Sequence, residues 1–320
     1  MLDPALALGA RIHLYPLQAN LSPDAAALDK LLAGIRQPVK ALLATHYFGI
    51  VQDFSHLRAW CVERKIALVE DCSHVLFTES YRPTGSGIHG HFVVSSPYKF
   101  FPSEDGGLLF AADTQLFDEL QTHSASWLDE LRGIKRVLDG SRGTPVTASD
   151  IASLDSQLAI LATKHAIAGN DEIVERSSPS ALFQEAMVGR ASLRSSRFVV
   201  DHSSVDHAIR RRRENYNRWT QAAAGLSNCR ALFPVLPEDG APYMFPLHID
   251  HPAIHFHWLK HLGVPIWRWD EMADSSCRIA QDYRLHLLHL PCHQALTKNQ
   301  MQWMTSALCK TLSQIATGEQ

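Results

Sequence analysis

Lys99 stands in the run Ser95-Ser96-Pro97-Tyr98-Lys99-Phe100-Phe101-Pro102-Ser103-Glu104-Asp105-Gly106-Gly107, between an apolar strand and a Gly-Gly turn. Burial among aromatic and proline side chains disfavours an ammonium and lowers the amine pKa. A neutral amine in such a place can attack an aldehyde and form an imine. The plainer alternative is a surface lysine whose stem lies over the aromatics. Upstream, Ile66-Ala67-Leu68-Val69 runs into Glu70-Asp71-Cys72-Ser73-His74. That sequence puts an acid at the carboxyl end of a buried strand, where open α/β sheets bind ligands. Asp71 is then either a helix N-cap or a buried carboxylate that needs a partner. Ser96 reads equally as a strand-end backbone cap, and His74 as a structural histidine at a helix start.

Other chemistry-bearing residues read more simply. Gly85, Gly87 and Gly90 make a loop, with no strand-to-helix context for a dinucleotide fingerprint. Gly106-Gly107 allows positive φ after the lysine loop. His257 and His261 sit four apart on a helix without a carboxylate or cysteine nearby, so they read as structural or solvated. His286, His289 and His293 fit strand and loop positions equally well, and residues 210–213, four arginines, read as a solvated helix face.

The elements that must carry these residues alternate in the first third. Strands are expected at 11–15, 41–45, 67–70, 92–95 and 108–111, and helices at 23–35, capped by Ser22, and 54–65. Alternation of this kind argues for a mostly parallel sheet covered by helices. Residues 114–194 change pattern, with helices expected around 117–134 and 151–167 and breakers at 141–145 and 176–180. The last third reads as a smaller α+β domain, with helices at 205–226, 253–262, 275–283 and 298–312 and strands at 243–249 and 286–290. The expected division is 1–125, 126–202 and 203–320.

Composition narrows the class. The chain has 320 residues, enough for a large core in one or two domains. Hydrophobic residues make up 46% and charged residues 20%, as in a globular enzyme. A net charge of −3 gives no general pull toward nucleic acid or anionic membrane. No apolar run approaches a membrane span, and Met1-Leu2-Asp3-Pro4 is not a signal-peptide start. Six scattered cysteines without a Cys-x-x-Cys pair favour reduced thiols in a cytoplasm.

Taken together, Val69-Glu70-Asp71-Cys72-Ser73-His74, Ser96-Pro97-Tyr98-Lys99 and Asp105-Gly106-Gly107 resemble the DegT/DnrJ/EryC1/StrS aminotransferases, fold-type-I pyridoxal-phosphate (PLP) enzymes. Thr45-His46-Tyr47-Phe48-Gly49 resembles that family's His-x-Tyr-Gly strand end. Arg211-Arg212-Arg213-Glu214-Asn215-Tyr216, Pro242-Tyr243-Met244-Phe245-Pro246-Leu247 and Leu290-Pro291-Cys292-His293 resemble its C-terminal domain. The resemblance covers residues 1–112 and about 203–315.

It implies an α/β, fold-type-I PLP-transferase-like architecture with a smaller C-terminal α+β domain. It implies that Lys99 binds the PLP aldehyde and then moves a proton as general acid and base, and that Asp71 faces the pyridine nitrogen. Ser96 would meet the phosphate or orient Lys99, and His74 would lie against the ring. Trp267 and Arg268 would approach the substrate entrance. The implied reaction moves an amino group from an amino donor to a keto-sugar nucleotide or related polysaccharide precursor, in a homodimer. The alternative is a catalytically incompetent homologue that serves as a structural or regulatory sugar-nucleotide-binding partner. Three departures stand out. The family's Gly-Thr phosphate turn and ring-stacking aromatic are not found ahead of residues 5–10. His91 replaces the Asp of a Gly-Asp pair. The Gly-Phe-Asn-x-Arg element is not found in the middle segment. A start codon set too far downstream, a fragment, and a short protein without catalysis all remain open.

Overall fold

A computed structural model describes residues 2–117, 120–140, 146–163, 183–270 and 272–314. The expected helix around 151–167 therefore lies partly outside the described residues, and the breakers at 141–145 and 176–180 lie wholly outside them. In chain order the elements are α1 (Asp3–Ala7), α2 (Ala25–Gly34), β1 (Ala41–Thr45), α3 (Ser55–Arg64), β2 (Ala67–Cys72), β3 (Phe92–Ser95), β4 (Leu108–Ala111) and α4 (Trp127–Gly140). There follow α5 (Ala148–Ala152), α6 (Leu154–Thr163), α7 (Arg194–His202), α8 (Val205–Ala224), β5 (Cys229–Ala231) and β6 (Met244–Ile249). The last are α9 (Pro252–His261), α10 (Arg278–His286), β7 (Leu287–Pro291) and α11 (Lys298–Leu312). The chain divides into two units, the first formed by Met1–Arg142, Glu175–Val205 and Ala273–Cys277, the second by Gly143–Val174, Asp206–Met272 and Arg278–Gln320.

In the first unit the strands lie in the order β1-β2-β3-β4. β1, β2 and β3 run parallel, and β4 is antiparallel on the edge. Parallel neighbours need a crossover, which α3 supplies between β1 and β2. Alternate residues Leu42, Ala44 and Leu68 pack against Leu28 of α2 and Leu57 and Cys61 of α3, with Phe54 and Ile66 closing the cluster. The opposite face carries Leu43, Thr45, Val69 and Val94, all half-buried. Helix α2 begins where Asp24, not Ser22, accepts from the amides of Ala26 and Ala27. Ser22 instead bonds Asn20. The strand expected at 11–15 is not formed; that segment is tied down by the Tyr15 hydroxyl, which donates to Leu43 O at 2.8 Å.

The second unit has an antiparallel sheet, β5-β6-β7. Its core joins Phe245, Leu247 and Ile249 of β6 to Leu288 and Leu290 of β7, Leu259 of α9, and Met301, Met304 and Leu308 of α11. The buried face of α8 carries Arg212, Asn215, Tyr216 and Trp219, spaced i, i+3, i+4 and i+7. Each donates to main-chain carbonyls. Arg212 reaches Pro242 O and Tyr243 O at 3.2 Å, Asn215 reaches His293 O at 3.0 Å, Tyr216 reaches Phe233 O at 2.6 Å and Trp219 reaches Pro291 O at 2.8 Å. Arg212 is 2% exposed, so the arginine run is not wholly a solvated face. Burial lowers its pKa to about 10, still a cation near neutrality.

The loop between β2 and β3 is sterically tight at Gly90. A Cβ there would sit 2.8 Å from Glu70 Cβ and would also strike Phe92 O. Gly90→Ala is expected to cost about 1–3 kcal/mol, as overpacking does. Gly34→Ala, at a helical position with nothing within 4 Å of the added atom, should be neutral or stabilise by up to ~1 kcal/mol. Denaturant unfolding of the two variants checks this; equal midpoints would refute it.

Candidate active site

Successive side chains of a strand point to opposite faces, so Glu70 and Asp71 part ways at the end of β2. Glu70 has no exposed surface. Its Oε1 accepts from Gly87 N at 2.6 Å and lies 2.9 Å from His46 Nε2, while Oε2 accepts from His89 N at 3.0 Å and Gly90 N at 2.8 Å. The Gln52 amide donates to His46 Nδ1 at 3.0 Å, which leaves the ring proton on Nε2 to be given to Glu70. Burial works to raise the Glu70 pKa, but the His46 hydrogen bond and the Gly90 and Gly87 amides outweigh it and hold the carboxyl below its ordinary value. His91, where the family commonly has Asp, accepts from Leu68 N through Nδ1 at 2.9 Å.

On the other face, Asp71 is 2% exposed and pairs in register with Thr45 of β1. Thr45 Oγ1 donates to Asp71 Oδ2 at 3.3 Å, and Ser73 N donates to Oδ1 at 2.9 Å. The residues after Asp71 form a turn, not a helix, so Asp71 caps no helix. Its charge acts on four neighbours, the adjacent Cys72 among them. Burial first, then Asp71, raises the pKa of Tyr47. Burial, then Tyr47 and Asp71, raises that of Tyr15. Burial lowers the pKa of Lys99, and the Asp71 carboxylate opposes that shift.

Lys99 is set by a single 3-10 turn, Pro97–Lys99, that follows β3. Pro97 presets the turn's first φ. Lys99 N donates to Ser96 O at 3.1 Å, and Phe100 N and Phe101 N both donate to Pro97 O. Phe100 and Phe101, 2% and 4% exposed, anchor the turn, and Lys99 itself is half-buried. Ser96 opens this turn with its side chain capping nothing. His74 is half-buried in the turn after β2, its ring 6.4 Å from that of Phe48. Phe48 is buried with φ at 59°, in the left-handed region a bulky residue avoids. Strain of this kind gathers at functional sites.

The structure thus brings Asp71 and Lys99 into one electrostatic neighbourhood in the first unit, with Ser96 and His74 on the adjoining turns. Trp267 and Arg268 belong to the second unit. There Trp267 is 59% exposed, with Lys260 Nζ 5.0 Å from its ring centroid. Arg268 lies over Phe256 at 4.1 Å and donates to Asp270 at 2.5 Å. Sequence reasoning missed Tyr15, Thr45 and Tyr47 around Asp71, and Glu70 with His46 behind it. The alternation in Thr45-His46 matches that in Asp71-Glu70 and was the signal available.

Residues 5–144 match the model of the DegT/DnrJ/EryC1/StrS aminotransferase family. The resemblance read from the motifs therefore holds across that stretch. Over 126 residues, 39% of this chain, the sequence is 26% identical to a dTDP-4-dehydro-2,3,6-trideoxy-D-glucose 4-aminotransferase of Saccharopolyspora spinosa. The chain spans 32% of the length of that curated relative. Among solved structures, the aminotransferase TlmJ from Streptoalloteichus hindustanus superposes with a TM-score of 0.61 at 20% identity, covering 97% of this chain and 75% of that one. Helicobacter pylori PseC, an aminotransferase involved in the biosynthesis of pseudoaminic acid, gives 0.61 at 15% identity over 96% and 75%. The fold is the α/β fold of these aminotransferases, as the motifs led us to expect.

Removing the Asp71 charge removes the contribution that raises the Lys99 pKa. In Asp71→Asn the pH midpoint for acylation of Lys99, followed by mass spectrometry, should move down, with several-fold faster labelling at neutral pH. An unchanged or higher midpoint would show that the two groups do not act on one another.

Proposed function

With residues 5–144 matching the DegT/DnrJ/EryC1/StrS aminotransferase family, we propose that the chain is a PLP-dependent aminotransferase that carries an amino group from an amino donor to a keto-sugar nucleotide or a related polysaccharide precursor. The observation that carries this reading is Lys99. Its amine is held below the ordinary lysine pKa by burial, within the field of a carboxylate that strand register and two hydrogen bonds keep in place. The S. spinosa relative, whose name is that of a 4-aminotransferase of a dTDP-linked 4-dehydro sugar, supports the substrate class.

The donor set fits PLP: an amine for its aldehyde and a buried anion for its ring nitrogen. When bound, that group supplies a carbonyl that condenses with amines and a protonated ring that accepts electrons from the donor's Cα. The chain's residues do the rest. Lys99 holds a lone pair more readily than a solvated lysine does and takes and returns a proton at Nζ. Asp71, held by Thr45 and Ser73, presents a fixed negative charge and needs no reorganisation to do so. Ser96 is assigned to the phosphate or to orienting Lys99, His74 to the ring, and Trp267 and Arg268 to the substrate.

A homodimer belongs to the same reading. Trp127, Leu131, Ile134 and Leu138 line one face of α4 at 70, 56, 43 and 57% exposure, an apolar stripe that a second copy would cover. The six free cysteines are in keeping with a cytoplasmic protein. Among the described residues no helix is long and apolar enough to cross a membrane.

Protein mixed with PLP should show the visible absorbance of a lysine-bound cofactor and transfer the amino group of L-glutamate to a dTDP-linked 4-keto sugar. Lys99→Ala should lose the absorbance and at least ~100-fold in turnover. A wild-type chain that binds the sugar nucleotide but neither colours nor transfers would overturn the reading in favour of a non-catalytic homologue. Separately, Leu131→Glu with Ile134→Glu should shift light-scattering mass from dimer to monomer; a wild-type monomer would refute the dimer.

A further inference from the structure

We propose that His248, Asp282 and His286, brought together where α10 packs on β6, form a binding site for one divalent metal ion, with zinc as the ion best matched. The proposal does not depend on the aminotransferase reading. All three residues lie in the second unit, far along the chain from Lys99 and Asp71.

Asp282 and His286 are one helical turn apart on α10, and the face of β6 opposite Phe245, Leu247 and Ile249 delivers His248. His248 Nε2 lies 3.0 Å from Asp282 Oδ2, and His286 Nδ1 lies 3.3 Å from Asp282 Oδ1. One ligand atom from each of the three residues lies within 4.8 Å of the others. In a tetrahedral zinc site with bonds of ~2.0–2.1 Å, ligand atoms sit about 3.3 Å apart. The two distances to the Asp282 carboxylate, 3.0 and 3.3 Å, already match that spacing. Two imidazoles and one carboxylate suit zinc's borderline softness and leave one tetrahedral position for water.

The surroundings favour a ligand over a packing role. The His248 side chain is 10% exposed, while those of Asp282 and His286 are 40% and 32% exposed. The cluster is therefore walled on the strand side and open to solvent on the helix side, which gives an ion an entry path. His248 Nδ1 is buried without a hydrogen-bond partner among the described residues, so the ring's polar engagement runs through Nε2 toward Asp282. The imidazoles of His248 and His286 are nearly parallel at 11°, with centroids 5.3 Å apart.

Without a metal, the same atoms can form only a hydrogen-bonded His-Asp-His chain, in which His286 Nδ1 also lies 3.0 Å from the Asp282 main-chain oxygen. Titration separates the two cases. Full-length protein stripped with chelator is titrated with zinc against a chromophoric competitor, and with cobalt to read the ligand type. The expected result is one zinc per chain, a cobalt spectrum without sulfur charge-transfer bands, and a zinc-dependent rise in melting temperature. Asp282→Asn and His286→Gln, both at partly exposed positions, should each weaken zinc by at least about tenfold and lose the melting shift while keeping the wild-type circular dichroism. Three results would each overturn the site: no zinc binding, equal affinity in wild type and both variants, or a cobalt spectrum of thiolate ligation by the free cysteines.

Discussion

A carboxylate with no exposed surface organises the first unit. Glu70 lies near the carboxyl end of a parallel strand, and a bare charge there would cost several kcal/mol if left unpaired. It is not left so. The His46 ring and the amides of Gly87, His89 and Gly90 surround its two oxygens. Those three amides belong to the loop that returns the chain to β3, so satisfying Glu70 and folding the loop are one event. Gly90 is sterically required where the loop passes the strand. The arrangement also determines where the neighbouring residue must point. With Glu70 committed to one face, the pleat sends Asp71 to the other, and register places Thr45 beside it.

That division separates structure from chemistry within two adjacent acids. The Glu70 side is closed by Leu68, Phe54, Leu57 and Cys72, none of which has exposed surface. The Asp71 side is half-buried, edged by Tyr15 and Tyr47, and its charge reaches the turn that carries Lys99. The two effects on Lys99 oppose one another, and burial wins. An amine kept partly dry is weaker as a cation and better as a nucleophile or base. The facing anion keeps the shift from going further and supplies a counter-charge for a cationic ring.

The sequence showed the reactive half of this arrangement more clearly than the supporting half. Lys99 stood out because an ammonium among Pro97, Tyr98, Phe100 and Phe101 conflicts with its surroundings, and Asp71 because it ends an apolar run. Strands β1 to β4 were legible as short apolar runs separated by helical spacing. Glu70 was not legible as the organiser, because its partners lie 17 to 24 residues away and are mostly main-chain amides, which carry no residue identity. Arg212 was misread for a similar reason. Three arginines surround it, and only the fold shows that this one faces inward, toward Gln294 82 residues on. The segment 11–15 failed as a strand because a tyrosine hydroxyl, not a ladder of amides, fastens it to β1.

The second unit solves the converse problem with the opposite charge. Arg212 is buried on α8, and carbonyls rather than amides satisfy it: Pro242 and Tyr243 at the entry to β6, with the Gln294 side chain beyond β7. Asn215 and Trp219, on the same helix face, take the carbonyls of His293 and Pro291 where β7 ends. The helix therefore holds both strand termini at points where a sheet would otherwise leave acceptors without donors. A hydrophobic face could have buried as much area, but it would have left those carbonyls unpaired at 1–3 kcal/mol each, roughly. Buried ions of this sort add little net stability compared with apolar replacements. What they supply is direction: a guanidinium with five donors in a fixed fork fits one arrangement of strand ends. In both units, then, a buried charge takes its partners mainly from the main chain, and so constrains backbone position more tightly than apolar packing alone would.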